Sequence, residues 1–214
     1  MKKTEPFEYA SDGSPLGDET KRIVDELVRT GRVLTRQAHI PDNRIGGFYD
    51  RGDDHVVVSS NNKSWARHPA ITAHVVAHEH GHANLQKHRV LRHTQGLPSQ
   101  LGNPTQSPLP TLISLLGGTL APSRAARAAS VVGGTLWNGL PLIAERHADA
   151  YAKTRVLDEA KKEFHGPYTV MADTISDGNQ GEYHKGMART GLLGLLGMGA
   201  REVYDHRKQI MDAF

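Results

Sequence analysis

The sequence predicts an α+β fold that is mostly helical: a small β-hairpin or sheet beside one central helix, with a bundle of C-terminal helices. Three observations predict it. The β-branched run His55-Val56-Val57-Val58-Ser59-Ser60 is bounded by turn residues. Ile71, Val75, His78, His82 and Leu85 follow the four-three spacing of one helical stripe. From residue 112 on, segments of helical length are separated by Gly and Pro.

A chain of 214 residues suits one domain, here expected over 18–214, and is long enough to bury a core. Residues 1–17 are polar, with Pro6, Gly13, Pro15 and Gly17, and read as a flexible N-terminal arm. Asp18 is placed to cap a helix over about 19–30 that buries Ile23 and Leu27, and Gly31 ends it. Residues 33–44 read as irregular, with a turn at Pro41-Asp42-Asn43. A hairpin follows: Ile45 to Asp50, a turn over Arg51-Gly52-Asp53-Asp54, and the return strand from His55. By itself this is an ordinary core hairpin. Beside a metal site, though, an edge strand can also pair with an extended peptide through main-chain hydrogen bonds.

The central helix is expected over about 69–89, with Pro69 in its first turn. A loop-rich insertion near 90–110 carries Gly96, Pro98, Gly102, Pro104, Pro108 and Pro110. The apolar stretches 112–121 and 128–143 are short and broken by glycine, and read as a buried helical hairpin. Shallow membrane contact is the second reading of that hairpin. Pro141 is placed to open a helix over about 142–165, closed by Gly166-Pro167. A short segment (168–176), a loop at 176–181 and a last helix over about 183–212 complete the chain.

Composition narrows the function. The formal charge is +3, and Lys and Arg are scattered rather than striped, so no nucleic-acid partner is expected. There is no cysteine, which excludes disulfides and thiolate ligands and fits a reducing compartment. No apolar run follows Met1-Lys2-Lys3 and none reaches 18 residues, so neither a signal peptide nor a full membrane span is expected. The expectation is a cytoplasmic or otherwise intracellular protein, with peripheral membrane association left open.

The chemistry is concentrated in His78-Glu79-His80-Gly81-His82, which satisfies H-E-x-x-H. Residues four apart on a helix share a face, so His78 and His82 can present two imidazoles to one metal ion. Glu79 lies about 100° round from His78, beside the metal, where it can take a proton from an activated water. His80 should point away from the metal, and His74, one turn earlier, should line the cleft or support the ligands. A catalytic zinc needs a third protein ligand. Continuation of the helix to a third histidine fails, because Leu85 stands where that pattern needs glycine. Glu145, on a later predicted helix, is the better candidate. Asp149, four residues on, can hold the second nitrogen of a ligating imidazole. The alternative is a solvated Glu–Asp pair, which the apolar neighbours Leu142, Ile143, Ala144 and Ala148 disfavour.

H-E-x-x-H on one helix and E-x-x-x-D on a later one is the gluzincin pattern. The stretches Gly47 to Gln86 and Ala144 to Ala150 resemble the putative neutral zinc metallopeptidase family of bacteria, a membrane-associated gluzincin family. The resemblance covers a quarter to a third of the chain. It implies a zincin-like fold with one Zn2+ per chain on His78, His82 and Glu145, Glu79 as general base and Asp149 supporting a ligand. The implied activity is endopeptidase cleavage of a protein or peptide substrate. Family members carry true hydrophobic spans between and after these motifs. The equivalents here, 112–121, 128–143 and 192–200, are short and Gly-broken, which predicts a trimmed chain without membrane insertion.

Such a mechanism needs a donor for the carbonyl oxygen as it gains charge. Tyr168, Tyr183, His184 and Arg189 are the candidates, none singled out by spacing. The alternative function is a metal-stabilised structural or assembly protein of the same fold that does not cleave. The sequence names neither the substrate nor the oligomeric state.

Overall fold

The computed structural model describes residues 16–31, 33–40, 46–60, 70–87, 109–207 and 211. Nearly all of the predicted arm, the turn at 41–43 and nearly all of the loop-rich insertion lie outside these residues. The chain divides into two compact units, Met1–Arg92 with Ala144–Asp177, and His93–Ile143 with Gly178–Phe214. The described elements are mostly helical, with one small three-stranded sheet.

In the first unit, helix α1 spans Asp18–Thr30 and buries Thr20, Ile23, Val24 and Leu27. Gly17, not Asp18, occupies the cap position; Asp18 and Glu19 instead place negative charge in the first turn, where the helix dipole favours it. The sheet holds β1 (Leu34–Ala38), β2 (Gly47–Asp50) and β3 (His55–Ser59) in the order β1-β3-β2. β2 pairs antiparallel with β3, Gly47 opposite Val58 and Asp50 opposite His55. This is the predicted hairpin. Its turn is fixed by Asp50 Oδ1, which accepts the Gly52 N–H at 2.8 Å, and by Asp54, which takes a left-handed φ of 51°. Asp tolerates that conformation better than most residues.

β1 corrects the irregular reading of 33–44. It pairs parallel with β3, Leu34 opposite His55 and Ala38 opposite Ser59. Leu34-Thr35-Arg36-Gln37-Ala38 has little strand propensity of its own, so the partner supplies the strand. β3 is therefore the central strand, and all five of its residues are buried.

Helix α2 spans Ile71–Leu85 and packs against α1, β2 and β3. The sequence predicts one buried stripe, but every residue from Ile71 to Ala77 is buried, as are Glu79, His80, Gly81, Ala83 and Leu85. A helix apolar on most faces is a core helix. Val76 and Ala77 join Ile23, Leu27, Val56 and Val58 in one cluster with Val156 and Tyr168. Burying each Val, Leu or Ile side chain contributes about 1.5–3 kcal/mol, so this cluster, not helix propensity, fixes where α2 sits.

Three helices follow: α3 (Leu109–Leu120), α4 (Arg124–Glu159) and α5 (Lys162–Asp205). Pro141 lies inside α4 and does not open it; Gly166-Pro167 lies inside α5 and does not close a helix. The loop predicted at 176–181 is helical as well. The punctuation rules weigh local cost, a lost hydrogen bond at each proline, and tertiary packing along these long helices outweighs it.

The second unit is α3, residues 124–143 of α4 and residues 178–205 of α5. Their contacts are made by small residues: a Cβ on Gly118 would stand 2.7 Å from the Gly194 carbonyl oxygen, and one on Gly134 would stand 2.7 Å from that of Pro110. The helices predicted at 112–121 and 128–143 are present and bury Val131 and Leu142, but most of their large apolar side chains are not buried. Leu116, Leu120, Val132 and Leu136 are all exposed. No helix among the described residues is long and apolar enough to cross a membrane.

Candidate metal centre

α2 and α4 cross in the first unit at Gly81 and Ala148. A Cβ on Gly81 would lie 2.7 Å from Ala148 Cα and 3.1 Å from its carbonyl oxygen. Only glycine permits this approach. It brings His78 and His82 on α2 against Glu145 and Asp149 on α4, each pair one turn apart. His78 Nε2 is 3.1 Å from His82 Nε2 and 3.3 Å from Glu145 Oε2, and His82 Nε2 is 3.6 Å from Glu145 Oε1. Four ligands at about 2.0–2.1 Å from a tetrahedral zinc stand about 3.3–3.4 Å apart. One nitrogen from each histidine and one oxygen of Glu145 lie within 4.8 Å of one another, close enough for small side-chain shifts to bring them onto one ion, so the residues fit the group that the motif implies.

The environment of each donor is equally specific. Asp149 Oδ1 lies 2.9 Å from His78 Nδ1, so Nδ1 carries a proton and the ring is oriented with Nε2 facing Glu145 and His82; Nε2 donates to Glu145 while the imidazole is protonated and would offer its lone pair to a metal once that proton leaves. Ser176 Oγ donates to the other Asp149 oxygen at 2.6 Å. Burial alone would lower the His78 pKa, but the hydrogen bonds to Asp149 and Glu145 outweigh it and hold the imidazole well above its usual range. Burial resists ionisation of Glu145 and Asp149, yet the His78 hydrogen bond holds both carboxyls below their ordinary values. For His82 burial wins, with the charge of His78 adding to it, and its pKa falls to about 4. Two carboxylates and two imidazoles packed this closely require a cation among them, a shared proton or a metal ion.

Glu79 is buried beside this cluster. Loss of hydration pushes its carboxyl up to about 7, opposed by the positive charge of His78 and by the Tyr49 backbone N–H. The N–H comes from β2, which comes close because residue 47 is glycine: a Cβ there would lie 2.9 Å from the Val57 oxygen and 3.2 Å from Glu79 Cγ. β2 is an edge of the sheet as described, so Glu79 stands between the imidazoles and a strand edge.

His80 points away as expected, its Nε2 2.7 Å from Thr35 Oγ1. His74 is buried one turn before His78, with ring centroids 6.1 Å apart, and its Nδ1 is 3.0 Å from the Tyr168 hydroxyl. That hydroxyl donates to the Ala152 carbonyl at 3.1 Å, and Tyr168 is wholly buried, so it supports His74 in the core and does not face an open site. Tyr183, His184 and Arg189 lie on the stretch of α5 that belongs to the second unit. His78, Glu79, His82, Glu145 and Asp149 are brought together.

Sequence reasoning missed Ser176, the close approaches at Gly81 and Gly47, and the Tyr49 N–H. One signal for Ser176 was available. Tyr168, Ala172 and Ser176 recur at intervals of four, the spacing of one helical face.

Comparison of the chain with known protein families, with curated proteins and with solved structures gives no match.

Proposed function

We propose that this chain is a zinc-dependent endopeptidase of gluzincin type with a zincin-like fold, related to the neutral zinc metallopeptidases its motifs resemble. The observation that carries the reading is the convergence of His78, His82 and Glu145, one ligand atom of each within 4.8 Å of the others, with His78 oriented by Asp149 and the Glu79 carboxyl buried next to them.

His78, His82 and Glu145 would hold one Zn2+, which supplies Lewis acidity toward a carbonyl oxygen and acidifies water. Glu79 takes the proton of the attacking water and returns it to the leaving amine. Asp149 and Ser176 keep the His78 ring in the tautomer that offers Nε2. β2, at the sheet edge next to Glu79, can lay an extended peptide across the site by main-chain hydrogen bonds.

The test is cleavage of an unfolded protein such as reduced casein by zinc-loaded protein, with Glu79→Gln as the control. The proposal expects cleavage by the native chain, and a loss of at least about 100-fold in the variant with zinc content retained. Zinc-loaded native protein without such activity would favour the structural alternative.

A further inference from the structure

The hairpin turn holds a second group of metal-ligand side chains, which shares no residue with the group at His78. Asp50 ends β2 and His55 begins β3, and the two are directly opposed in the ladder. Opposed residues of an antiparallel pair project from the same face of the sheet, with Cβ atoms about 4.5–5.5 Å apart. The turn between them brings in Asp53. One carboxylate oxygen of Asp50, one of Asp53 and one ring nitrogen of His55 lie within 4.8 Å of one another. Two aspartates at a turn are ordinary surface chemistry, but the histidine is not on the surface. His55 opens the central strand, between Asp50 of β2 and Leu34 of β1, and is only 6% exposed. Its Nε2 is buried without a hydrogen-bond partner. Its Nδ1 faces Asp53 Oδ2 at 3.9 Å, inside ion-pair range but beyond hydrogen-bond range. A buried imidazole ordinarily replaces its lost water with a hydrogen bond, because leaving it without a partner is costly. This one has carboxylates in front of it and no hydrogen bond to them.

The carboxylates are placed for a cation. Asp50 Oδ1 accepts the Gly52 N–H at 2.8 Å, which fixes the group over the turn and leaves further lone pairs free to ligate. The Asp53 side chain is exposed and can rotate to close the remaining distance to the ring. Asp54 is engaged elsewhere, accepting the Tyr49 hydroxyl at 2.7 Å. Over residues 50–54 three aspartates stand against Arg51 alone, so the turn is negative. We propose that this turn binds a divalent transition-metal ion through Asp50, Asp53 and His55. Two carboxylates and one imidazole suit Mn2+ or Zn2+; the nitrogen donor disfavours Ca2+ and Mg2+, which take oxygen ligands. Water completes the coordination on the open side. With one ligand exposed the site is a weak one, filled when metal is offered and emptied on purification. The ion's role is structural: it ties the end of β2 to the start of β3. Tyr49, the residue before Asp50, is the one whose backbone N–H reaches Glu79, so the bound ion steadies the strand that borders that carboxyl.

The experiment is titration of the zinc-loaded full chain with Mn2+ up to about 1 mM, the weak end of protein sites for divalent cations, with free Mn2+ counted by electron paramagnetic resonance. The native chain is compared with Asp50→Asn/Asp53→Asn and with Glu145→Ala. Asn at position 50 keeps an oxygen for the Gly52 N–H, so the melting temperature in chelator should be unchanged. The proposal expects about one Mn2+ per native chain, the same in Glu145→Ala, and binding at least about tenfold weaker in the hairpin variant. In the native chain it expects Mn2+ to broaden the ring resonances of His55 before those of the other histidines, a readout that needs no variant to fold. A native chain that takes up no Mn2+, or uptake equal in the native chain and the hairpin variant, would overturn it. So would uptake lost in Glu145→Ala alone, or broadening centred on His78 and His82, either of which would put the ion at the other group.

Discussion

Gly81→Ala tests how the site is assembled, because it separates site geometry from stability. The added methyl would meet the Ala148 Cα at 2.7 Å, its carbonyl oxygen at 3.1 Å and its Cβ at 3.2 Å. These are mostly backbone atoms of a packed helix and cannot swing aside. Carbon atoms need about 3.5 Å or more, so α2 and α4 must part by roughly 1 Å. Stability responds weakly, since overpacking costs about 1–3 kcal/mol while exchanging Gly for Ala inside a helix returns about 1 kcal/mol. The net is a loss of about 0–2 kcal/mol. The site responds strongly. Glu145 stands 3.3 and 3.6 Å from the two imidazole nitrogens, and parting the helices takes it out of tetrahedral reach of both. Zinc affinity should fall at least about tenfold, the scale of a mis-supported ligand. The measurement is chelator-competition titration of zinc beside urea unfolding of the metal-free protein. A variant that binds zinc as tightly as the native chain and is about 1 kcal/mol more stable would refute the close crossing.

Further outcomes follow from the same geometry. Asp149→Asn should weaken zinc binding about 10- to 100-fold by releasing the His78 tautomer, and Ser176→Ala should do so by less, both read by the same titration. Zinc at a thousandfold excess over its dissociation constant should stabilise the chain by about 4 kcal/mol, so a chelator should lower the melting temperature of the native protein and leave that of Glu145→Ala unmoved. In metal-free protein, burial holds His74 and His80 down at about 4, below the unfolded value of about 6.5. Folded states with depressed histidines bind fewer protons than unfolded ones between those values. The stability they contribute is present above pH 6.5 and drains away as pH falls toward 4. Urea midpoints across that range should drop with acidification, less so in His80→Gln; equal slopes in the two proteins would contradict the assignment.

The grouping of His78, His82, Glu145 and Asp149 was legible because it depends on helical phase, which the sequence writes directly. His78 and His82 are one turn apart, and so are Glu145 and Asp149, and no longer-range knowledge is needed to see that each pair shares a face. β2 and β3 were legible for a similar reason, through a β-branched run beside a turn rich in Asp and Gly. β1 was not, because Leu34 to Ala38 becomes a strand only by pairing with β3. Ser176 was hidden by Ser176-Asp177-Gly178, which reads as a turn and is in fact helix. Pro141 and Gly166-Pro167 misled in the same way: each is a local helix breaker held inside a helix whose neighbours fix its course. The exposed leucines of the second unit could not be placed from periodicity. An apolar stripe shows that a helix has two faces, but not which of them its neighbours occupy.

The most direct test of the central claim is the zinc content of protein purified without chelator or a metal-carrying tag, native chain against Glu145→Ala. The account predicts about one zinc per native chain, lost or greatly weakened in the variant. A native chain that takes up no zinc when it is offered would mean that His78, His82, Glu145 and Asp149 are packed around a proton, and the metallopeptidase reading would fall.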